Sequence, residues 1–574
     1  MKVLGINDTH DAGIALIEDG RVLFAINQER VDRIKLSFGF PMASIDAMMN
    51  ELGMTSLESI DFVALSRTYG KFAEESTKPD FFQDLQNLTK PRRILNRISK
   101  IGSPFFRSSL GTKFIKTAVG GWHINNDREL KVMNILKGNG FKGKIVNLDH
   151  HLCHAASAVF SCPSELFNEK SLVVTMDAMG DGLSGTVYIA EKGKLKKIHE
   201  INQFNSLAMY YSYVTQICGF VPIRHEGKIT GLAAYGKPVY LKMFEDMINY
   251  KKGSIYNFLG LQHEPAIKAI RNKIGNYKRE DLAASIQIHC ENVVTKFIDY
   301  WINKTKIQNV LVAGGLFANV KINQRINEMP RVNNFFVHQN MGDGGTGFGA
   351  GALKCFGESR IYEPPRKDVY FGQGYTNEQI EEELKKFKVK YKKYRFIEKE
   401  IARLLCKGKV IARFNGKMEY GPRALGNRTI MYHTKDPSVN AWLNKRLNRT
   451  EFMPFAPVTL YEEAEKCYKN MKGAKYSARF MTITFDCTDF MKRKSPAVVH
   501  VDGTARPQLI DKDSNPSYRK ILEEYYKITK IPSLVNTSFN MHEEPIVCSP
   551  SDAIRSFQSG HLDYLAIGDF LVKN

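Results

Sequence analysis

Two histidines four residues apart are the first residues in this sequence whose types and spacing suggest chemistry. His150 and His154 are followed by residues 155–160, which are small and apolar and typical of a buried helix. If His150 opens that helix, both rings lie on one face and can hold one divalent metal ion. A helix N-terminus capped by Asp149, with histidines there by chance, would give the same pattern. The pair alone leaves both interpretations open.

Two aspartates beside glycines would complete a metal site. Asp177 begins a glycine-rich segment, predicted to be a turn over residues 177–185, and Asp343 follows a predicted strand at 334–338. Such turns hold a carboxylate at the mouth of a strand and leave backbone N–H groups open to phosphate. Each aspartate by itself could cap a turn. Together with His150 and His154 they predict a mixed nitrogen and oxygen site for an iron-type or similar divalent ion.

A second group of candidates is cationic and lies in the last third of the chain. Guanidinium forks, ammonium groups and short polar donors near glycine and proline suit a phosphate or an acyl phosphate. A single arginine is usually a solvated surface charge, but several in separate loops predict an anion site. The candidates are Lys417, Arg423, Arg428, Arg449, Arg506, Asn536 and Ser538.

Two further stretches are candidates for ligand contacts. The turn Gly314-Gly315, with Asn319 after it, has room for a flat base or a ribose against the backbone. Glu226 and Lys228 flank Gly227 in what we predict to be a loop that brings a charge pair to a ligand. A glycine pair is weak evidence by itself, and a surface loop followed by a helix cap explains the second stretch equally well.

The elements that position these residues suggest a duplicated α/β fold. Apolar runs at 3–6, 14–17 and 21–25 are separated by polar, glycine-ended turns and predict three antiparallel strands. The same design returns at 171–198, which indicates an internal duplication. Three strands with a polar first turn are how the actin-like (ASKHA) fold begins. We therefore expect an actin-like domain over residues 1–360, with an insertion at about 70–125 that covers one face of the site.

A composition break at 357–367, which includes Pro364-Pro365, marks the expected domain boundary. Beyond it, helices and strands alternate, and residues 564–573 are predicted to form a strand. We therefore expect a second α/β domain over residues 361–574.

Composition limits the possible functions of this 574-residue chain. Its net charge of +22 fits nucleic acid or an anionic small substrate, but no aromatic signature of an RNA-binding sheet accompanies it, so nucleic-acid binding is not expected. Nine scattered cysteines without a C-x-x-C pair favour a reducing cytoplasm and exclude a cysteine zinc cluster. No apolar run reaches the length of a membrane span, and the N-terminus has the pattern of a strand rather than a signal peptide.

These residues together resemble the NodU/CmcH family of O-carbamoyltransferases, which includes antibiotic-tailoring enzymes. The resemblance covers nearly the whole chain. It is carried by the first turn with His10-Asp11, by Glu29-Arg30 with Lys35, and by the metal candidates and the glycine pair described above. It is strongest in residues 418–427 and 536–540. The family often has an arginine where this chain has Met453, which leaves one phosphate contact open.

The resemblance implies a two-site enzyme. A C-terminal YrdC-like domain would form carbamoyl adenylate from carbamoyl phosphate and ATP with Mg²⁺, and Arg449, Arg506 and the Ser538 loop would bind carbamoyl phosphate. The N-terminal domain would carry the metal and transfer the carbamoyl group to a hydroxyl of a small-molecule acceptor. His10, with Asp8 and Lys35, would line the acceptor pocket. A homodimer is compatible with this arrangement.

Two alternatives remain open at this stage. A threonylcarbamoyl-type tRNA-modifying enzyme would share both folds and would explain the basic charge. A non-catalytic nucleotide-binding scaffold of the actin-like class would use the first fold without the transfer chemistry. The acceptor itself, whether a sugar, an aminoglycoside, a nucleoside or a polyketide, cannot be predicted from these residues.

Overall fold

The computed structural model describes residues 1–68, 72–74, 111, 126–363, 368–449 and 455–574. Apart from residues 72–74 and 111, the insertion predicted at 70–125 lies outside this part. Met453 and residues 364–367 of the expected boundary also lie outside it. No helix in the described ranges is both long and apolar enough to cross a membrane.

The strands and helices that precede residue 363 include the two repeats expected from the sequence. The strands are β1 (Lys2–Asn7), β2 (Gly13–Glu18), β3 (Arg21–Asn27), β4 (Phe62–Leu65), β5 (Lys144–Asn147), β6 (Ser171–Gly180), β7 (Leu183–Glu191), β8 (Lys194–Asn202), β9 (Ile248–Lys251), β10 (Ser254–Asn257), β11 (Asn309–Ala313) and β12 (Asn334–Val337). The helices are α1 (Glu29–Asp32), α2 (Met42–Leu52), α3 (Asn126–Gly138), α4 (His150–Ser161), α5 (Ser164–Asn168), α6 (Leu207–Ile217), α7 (Glu226–Leu232), α8 (Leu241–Met247), α9 (His263–Ile274), α10 (Arg279–Thr305), α11 (Val320–Asn327) and α12 (Thr346–Ser359).

The elements after residue 363 form a third, larger sheet with helices and a separate two-stranded sheet. The strands are β13 (Tyr391–Lys393), β14 (Ile411–Phe414), β15 (Arg428–His433), β16 (Ala456–Leu460), β17 (Phe485–Asp486), β18 (Thr504–Ala505), β19 (Gln508–Ile510), β20 (Ser533–Ser538), β21 (Tyr564–Ile567) and β22 (Phe570–Lys573). The helices are α13 (Asn377–Lys386), α14 (Ile397–Cys406), α15 (Val439–Arg446), α16 (Ala464–Cys467), α17 (Asp489–Lys494), α18 (Pro516–Thr529) and α19 (Pro550–Ser559).

The first two sheets have the same topology. The order is β3-β2-β1-β4-β5 in one and β8-β7-β6-β11-β12 in the other. In each, three consecutive strands pair antiparallel, and two later strands join in parallel at the free edge of the first strand. The two copies of one strand arrangement are what an internal duplication produces.

Two helices lie between these sheets and form their shared core. Helix α12 packs against α4 and against β1 and β2, while α4 packs against β6 and β11. A glycine is required where the helices meet, because a Cβ on Gly349 would lie 1.9 Å from the carbonyl oxygen of Cys153. Helix α4, which carries both candidate metal histidines, is therefore fixed along its length.

The third sheet is mixed and has eight strands in the order β13-β22-β21-β14-β15-β20-β16-β19. Helices α14 and α18 pack on it through one apolar cluster. The prediction of one strand over 564–573 is wrong: β21 and β22 form a hairpin, because Gly568 turns the chain with φ of +54°.

Candidate metal centre and anion site

Helix α4 begins at His150 because two carboxylates cap its free N–H groups. The side chain of Asp149 accepts from the backbone N–H of Leu152 at 2.8 Å, as a helix N-cap does. The side chain of Asp181 accepts from the backbone N–H of His150 at 2.9 Å. These contacts confirm the predicted helix start and fix the first turn, on which both candidate histidines stand.

The two candidate carboxylates reach this turn from the second sheet. Asp177 lies where β6 and β7 shift register between Met176 and Gly180, so it has no partner in the ladder of these two strands. The predicted turn over 177–185 is therefore wrong in its extent, since β6 continues to Gly180. Asp343 lies in a single 3₁₀ turn (Asp343–Gly345) after β12.

The four predicted ligand groups converge. The Nε2 atoms of His150 and His154 are 3.1 Å apart. The carboxylate of Asp177 lies 3.3 Å from Nε2 of His150, and that of Asp343 lies 3.3 Å from Nε2 of His154. One ligand atom from each residue falls within 4.8 Å of the others. Two imidazoles and two carboxylates are a donor set that fits an iron-type divalent ion.

The charges of this cluster compensate one another. Burial acts against a charge on His150, but the carboxylates of Asp343 and Asp177 outweigh it and raise the pKa of this imidazole to about 9. Burial acts in the same sense against the charge on Asp177. The hydrogen bonds and charges of His150 and His154 nevertheless hold the pKa of Asp177 well below its ordinary value.

The third histidine of the motif is not part of the cluster. The Nδ1 atom of His151 lies 2.8 Å from the hydroxyl of Thr175, and burial is the main reason that the pKa of His151 falls to about 3. A glycine is required beside the candidate pair, because a Cβ on Gly180 would lie 2.0 Å from the His150 ring. The two histidines at i, i+4 are thus the ones that the structure brings together with Asp177 and Asp343.

His10 lies beside the cluster in the turn between β1 and β2. Its electrostatic neighbours are Asp343, Asp177 and Glu29, yet burial outweighs them and lowers the pKa of His10 below its ordinary value. Its Nδ1 atom is buried without a hydrogen-bond partner among the described residues. A neutral imidazole with a free ring nitrogen can accept a proton.

Asp8 and Lys35, predicted alongside His10, have other contacts. Asp8 is 1% exposed and lies between the guanidinium groups of Arg67 and Arg128, with Nη2 of Arg128 at 2.7 Å and Nε of Arg67 at 3.2 Å. Although burial opposes it, these two charges lower the pKa of Asp8 to about 2. The charge of Lys35 acts on Glu543, which lies beyond the expected domain boundary.

The glycine pair lies next to the metal cluster. The backbone N–H of Gly315 donates to Oδ1 of Asp177 at 3.2 Å. Gly314 has φ of +108°, and a Cβ there would lie 2.2 Å from the carbonyl oxygen of Met176. Asn319 caps helix α11 and exchanges hydrogen bonds with Gln287. In this structure, the turn orients a candidate ligand.

The prediction of a loop at Glu226 and Lys228 is wrong. Both residues lie in helix α7, where Glu226 accepts from the Ser212 hydroxyl at 2.9 Å and burial raises the pKa of its carboxyl. Lys228 is buried, with its ammonium 5.7 Å from the centre of the Phe220 ring. Apolar residues at 229 and 232, three positions apart, give this segment the helical pattern that the Gly227 signal obscures.

Three of the predicted cations in the C-terminal region already have partners. Lys417 pairs with Glu51 at 2.9 Å. Arg428 donates to several backbone carbonyls, including that of Asn415 at 2.8 Å. Arg449 donates to the carbonyl and hydroxyl oxygens of Ser538 at 2.6 and 3.3 Å. Asn536 is likewise occupied, since its amide donates to Gln508 at 2.7 Å.

The remaining two predicted cations form a pair of a different kind. Within the described ranges, the guanidinium groups of Arg423 and Arg506 have neither an acidic partner nor a hydrogen-bond acceptor. Burial lowers the pKa of Arg423 to about 10, and burial together with the charge of Arg423 lowers the pKa of Arg506 well below its ordinary value. Two neighbouring cations without counter-charge are suited to bind an anion.

The sequence patterns missed several residues that shape these sites. Asp181 accepts a hydrogen bond from the backbone N–H of His150. Its position between Gly180 and Gly182 was a signal that could have identified it. Arg67 and Arg128 hold Asp8 but are separated by 61 residues, so no local pattern links them. Tyr420 contacts the turn of Asp343, as described below, and only its place in a family motif could have drawn attention to it.

Comparison with known proteins finds relatives that match this chain over its whole length. A family model described as "Carbamoyltransferase N-terminus" matches residues 2–352, and one described as "Carbamoyltransferase C-terminus" matches residues 402–574. Two uncharacterized proteins of Methanocaldococcus jannaschii are 33% and 32% identical over 100% of this chain and 99% of their own length. Nodulation protein NolNO of Sinorhizobium fredii is 28% identical over 98% of this chain and 79% of its own.

Proposed function

The chain belongs to the carbamoyltransferase family, and from this premise we propose that it is an ATP-dependent O-carbamoyltransferase with two separate sites. The observation that carries the proposal is the convergence of four metal-ligand candidates, His150, His154, Asp177 and Asp343, in the N-terminal region. The C-terminal region holds a second site, the pair Arg423 and Arg506, which has no acidic partner among the described residues. We further propose that the duplicated region is actin-like and that the region after residue 360 is YrdC-like.

Activation is proposed to take place beside Arg423 and Arg506. Water cleaves carbamoyl phosphate to carbamate and phosphate, and a carbamate oxygen then attacks the α-phosphorus of ATP. The bond from that phosphorus to the bridging oxygen breaks, and pyrophosphate leaves with Mg²⁺. The two guanidinium groups neutralise the phosphate oxygens in this sequence, which explains why the protein supplies them without a partner. The product is carbamoyl adenylate.

Transfer is proposed to take place at the metal cluster. The acceptor hydroxyl oxygen forms a bond to the carbamoyl carbon, the bond from that carbon to the adenylate oxygen breaks, and AMP leaves. His10 accepts the hydroxyl proton, because burial keeps its imidazole neutral and its Nδ1 atom is free. A divalent ion held by His150, His154, Asp177 and Asp343 would supply positive charge for the leaving phosphate. The product is a carbamate ester of a small hydroxylated acceptor.

Two substitutions separate the two steps. Arg506→Ala is expected to abolish pyrophosphate release from ATP and carbamoyl phosphate. His10→Ala is expected to keep that release and to block transfer to a hydroxylated acceptor, found by screening metabolites with labelled carbamoyl phosphate. Pyrophosphate is measured in a coupled assay, with a Glu465→Gln variant, whose carboxylate is 80% exposed, as the control.

Three outcomes would contradict the proposal. Equal loss of pyrophosphate release in both variants would show that the two regions do not divide the work. ATP binding without carbamoyl-phosphate-dependent pyrophosphate release would favour a nucleotide-binding scaffold. Retention of tRNA at physiological salt, with transfer to it, would favour a tRNA-modifying enzyme.

A further inference from the structure

One phenol of the C-terminal region reaches the turn that carries a metal ligand. The hydroxyl of Tyr420 donates to the carbonyl oxygen of Gly344 at 2.8 Å. Gly344 follows Asp343 directly, and the two share a single 3₁₀ turn. Tyr420 is 2% exposed, so water cannot easily replace this bond if it is lost.

The carbonyl groups of this turn are held from two sides. The oxygen of Asp343 accepts from the side chains of Asn7 at 3.1 Å and Thr346 at 2.6 Å, both in the N-terminal region. The next oxygen, that of Gly344, accepts from Tyr420. A Cβ on Gly344 would lie 2.2 Å from the Asn27 amide, so the turn has no room to shift toward β3. Tyr420 therefore supplies one of the contacts that define how the Asp343 carboxylate is aimed.

Tyr420 also joins a buried chain of amides that leads to the first turn. Its hydroxyl interacts with the side chain of Asn340, whose amide donates to Asn27 at 3.0 Å. The amide of Asn27 in turn donates to Asp11 at 2.9 Å. Asp11 is next to His10, the proposed base. The Tyr420 hydroxyl therefore contacts both the turn of Asp343 and the chain of hydrogen bonds that ends beside His10.

The same loop carries part of the anion site. Oε1 of Glu419 accepts from the backbone N–H groups of Leu425, Asn427 and Arg428 at 2.7, 3.2 and 3.2 Å, which closes the loop on itself. The carbonyl of Gly421 accepts from Arg30 at 3.0 Å. Arg423 follows two residues later, so a single closed loop contacts the metal turn and presents a cation to the anion.

We propose that Tyr420 is a positioning residue for the transfer site: its hydroxyl fixes the Gly344 carbonyl and thereby the Asp343 carboxylate, so the metal centre is complete only with the C-terminal region in place. This inference rests on the proposed metal site. The ring itself packs near His338 and Phe348, with centroids 6.4 and 6.5 Å away. Removing only the hydroxyl leaves that packing and isolates the positioning contact.

The test compares two tyrosine-to-phenylalanine variants of the full chain. Tyr420→Phe removes the bond to Gly344. Tyr370→Phe is the matched control, because Tyr370 donates to the carbonyl of Leu425 at the same 2.8 Å and in the same loop but does not touch the metal turn. Co²⁺ is titrated into metal-free protein, since its visible absorption reports both affinity and coordination. Thermal unfolding without metal is recorded for each variant.

Tyr420→Phe is expected to weaken Co²⁺ binding by about 10-fold or more, the range found when a supporting contact of a metal ligand is lost, and to alter the absorption bands. Tyr370→Phe should bind within twofold of the parent chain with unchanged bands. Equal affinity and equal spectra for both variants would overturn the inference, as would a Tyr420→Phe chain that fails to fold where Tyr370→Phe folds. A parent chain that binds no Co²⁺ would instead refute the proposed metal site.

Discussion

The metal cluster and the arginine pair are both charged sites, but they differ in how their charges are balanced. At the metal cluster the chain provides both signs, and His150 and His154 face the carboxylates of Asp177 and Asp343 at 3.3 to 3.7 Å. At the second site the described residues provide only cations, Arg423 and Arg506. If the proposed function is correct, the charges of the metal cluster are balanced before an ion binds, whereas the arginine pair lacks the negative charge that an anion would bring.

This difference indicates how each site is used. A compensated cluster can remain assembled through many turnovers, which fits the proposed resident ion. Two cations without a counter-charge are stabilised most when an anion binds, and this stabilisation is lost when the anion reacts and leaves. Such a pair suits a substrate site. Neutralising one charge should therefore have opposite effects on the stability of the ligand-free chain at the two sites.

The largest effect is expected at the metal cluster. Asp177→Asn removes one ligand and leaves two imidazoles with one carboxylate, so transfer should fall by about 10³-fold, equivalent to several kcal/mol of lost charge stabilisation. The metal-free chain should also become less stable, because part of the counter-charge is gone. Metal content, transfer rate and urea unfolding measure these effects. An unchanged metal content would remove Asp177 from the site.

At the arginine pair, we expect the opposite change in the stability of the ligand-free chain. Arg506→Gln should lower pyrophosphate release by about 10²- to 10³-fold, since a phosphate loses its preorganised donor. Without ligand the variant should be as stable as the parent or more stable, by roughly 1 kcal/mol, because two close cations no longer repel. Urea unfolding without phosphate tests this. Clear destabilisation would mean that the pair has a counter-charge after all and that the two sites are alike.

The last effect is on stability alone and concerns a second compensated cluster, that of Asp8. Asp8→Asn leaves Arg67 and Arg128 facing each other in a buried place and should lower the free energy of unfolding by about 3 kcal/mol. Because the folded pKa of Asp8 is lowered to about 2, the same stability should be present above pH 4 and be lost as the pH falls toward 2. Acid titration of both chains measures it. The control Glu58→Gln, in an exposed pair, should change little.

The parts that could be predicted from the sequence are those with a local signal. The i, i+4 histidines and the aspartates beside glycines at strand ends are short patterns, and the structure brings all four together. The strand pattern of both repeats is local too, and their sheets share one topology. Among the cations, residue type alone could not separate Arg423 and Arg506 from Arg428 and Arg449, because the latter find backbone and side-chain acceptors only when the third sheet forms.

Other features depend on contacts between distant residues and left no pattern to find. Asp8 is two residues before His10, but its partners Arg67 and Arg128 come from two places far along the chain. The Tyr420 hydroxyl meets Gly344, 76 residues away, across the expected domain boundary. The extent of helix α7 was missed because a glycine at its second position imitates a loop signal.

The pairing of Asp8 also has a consequence for how this enzyme could diversify. Arg67 and Arg128 lie just before and just after residues 69–125 in sequence, and the Asp8 carboxylate pairs with both of them. When the ends of a segment are fixed, doubling its length costs only about 0.6 kcal/mol of closure entropy. A change in the number of residues between Arg67 and Arg128 should therefore cost little closure entropy, and the contacts of both guanidinium groups with Asp8 should be kept.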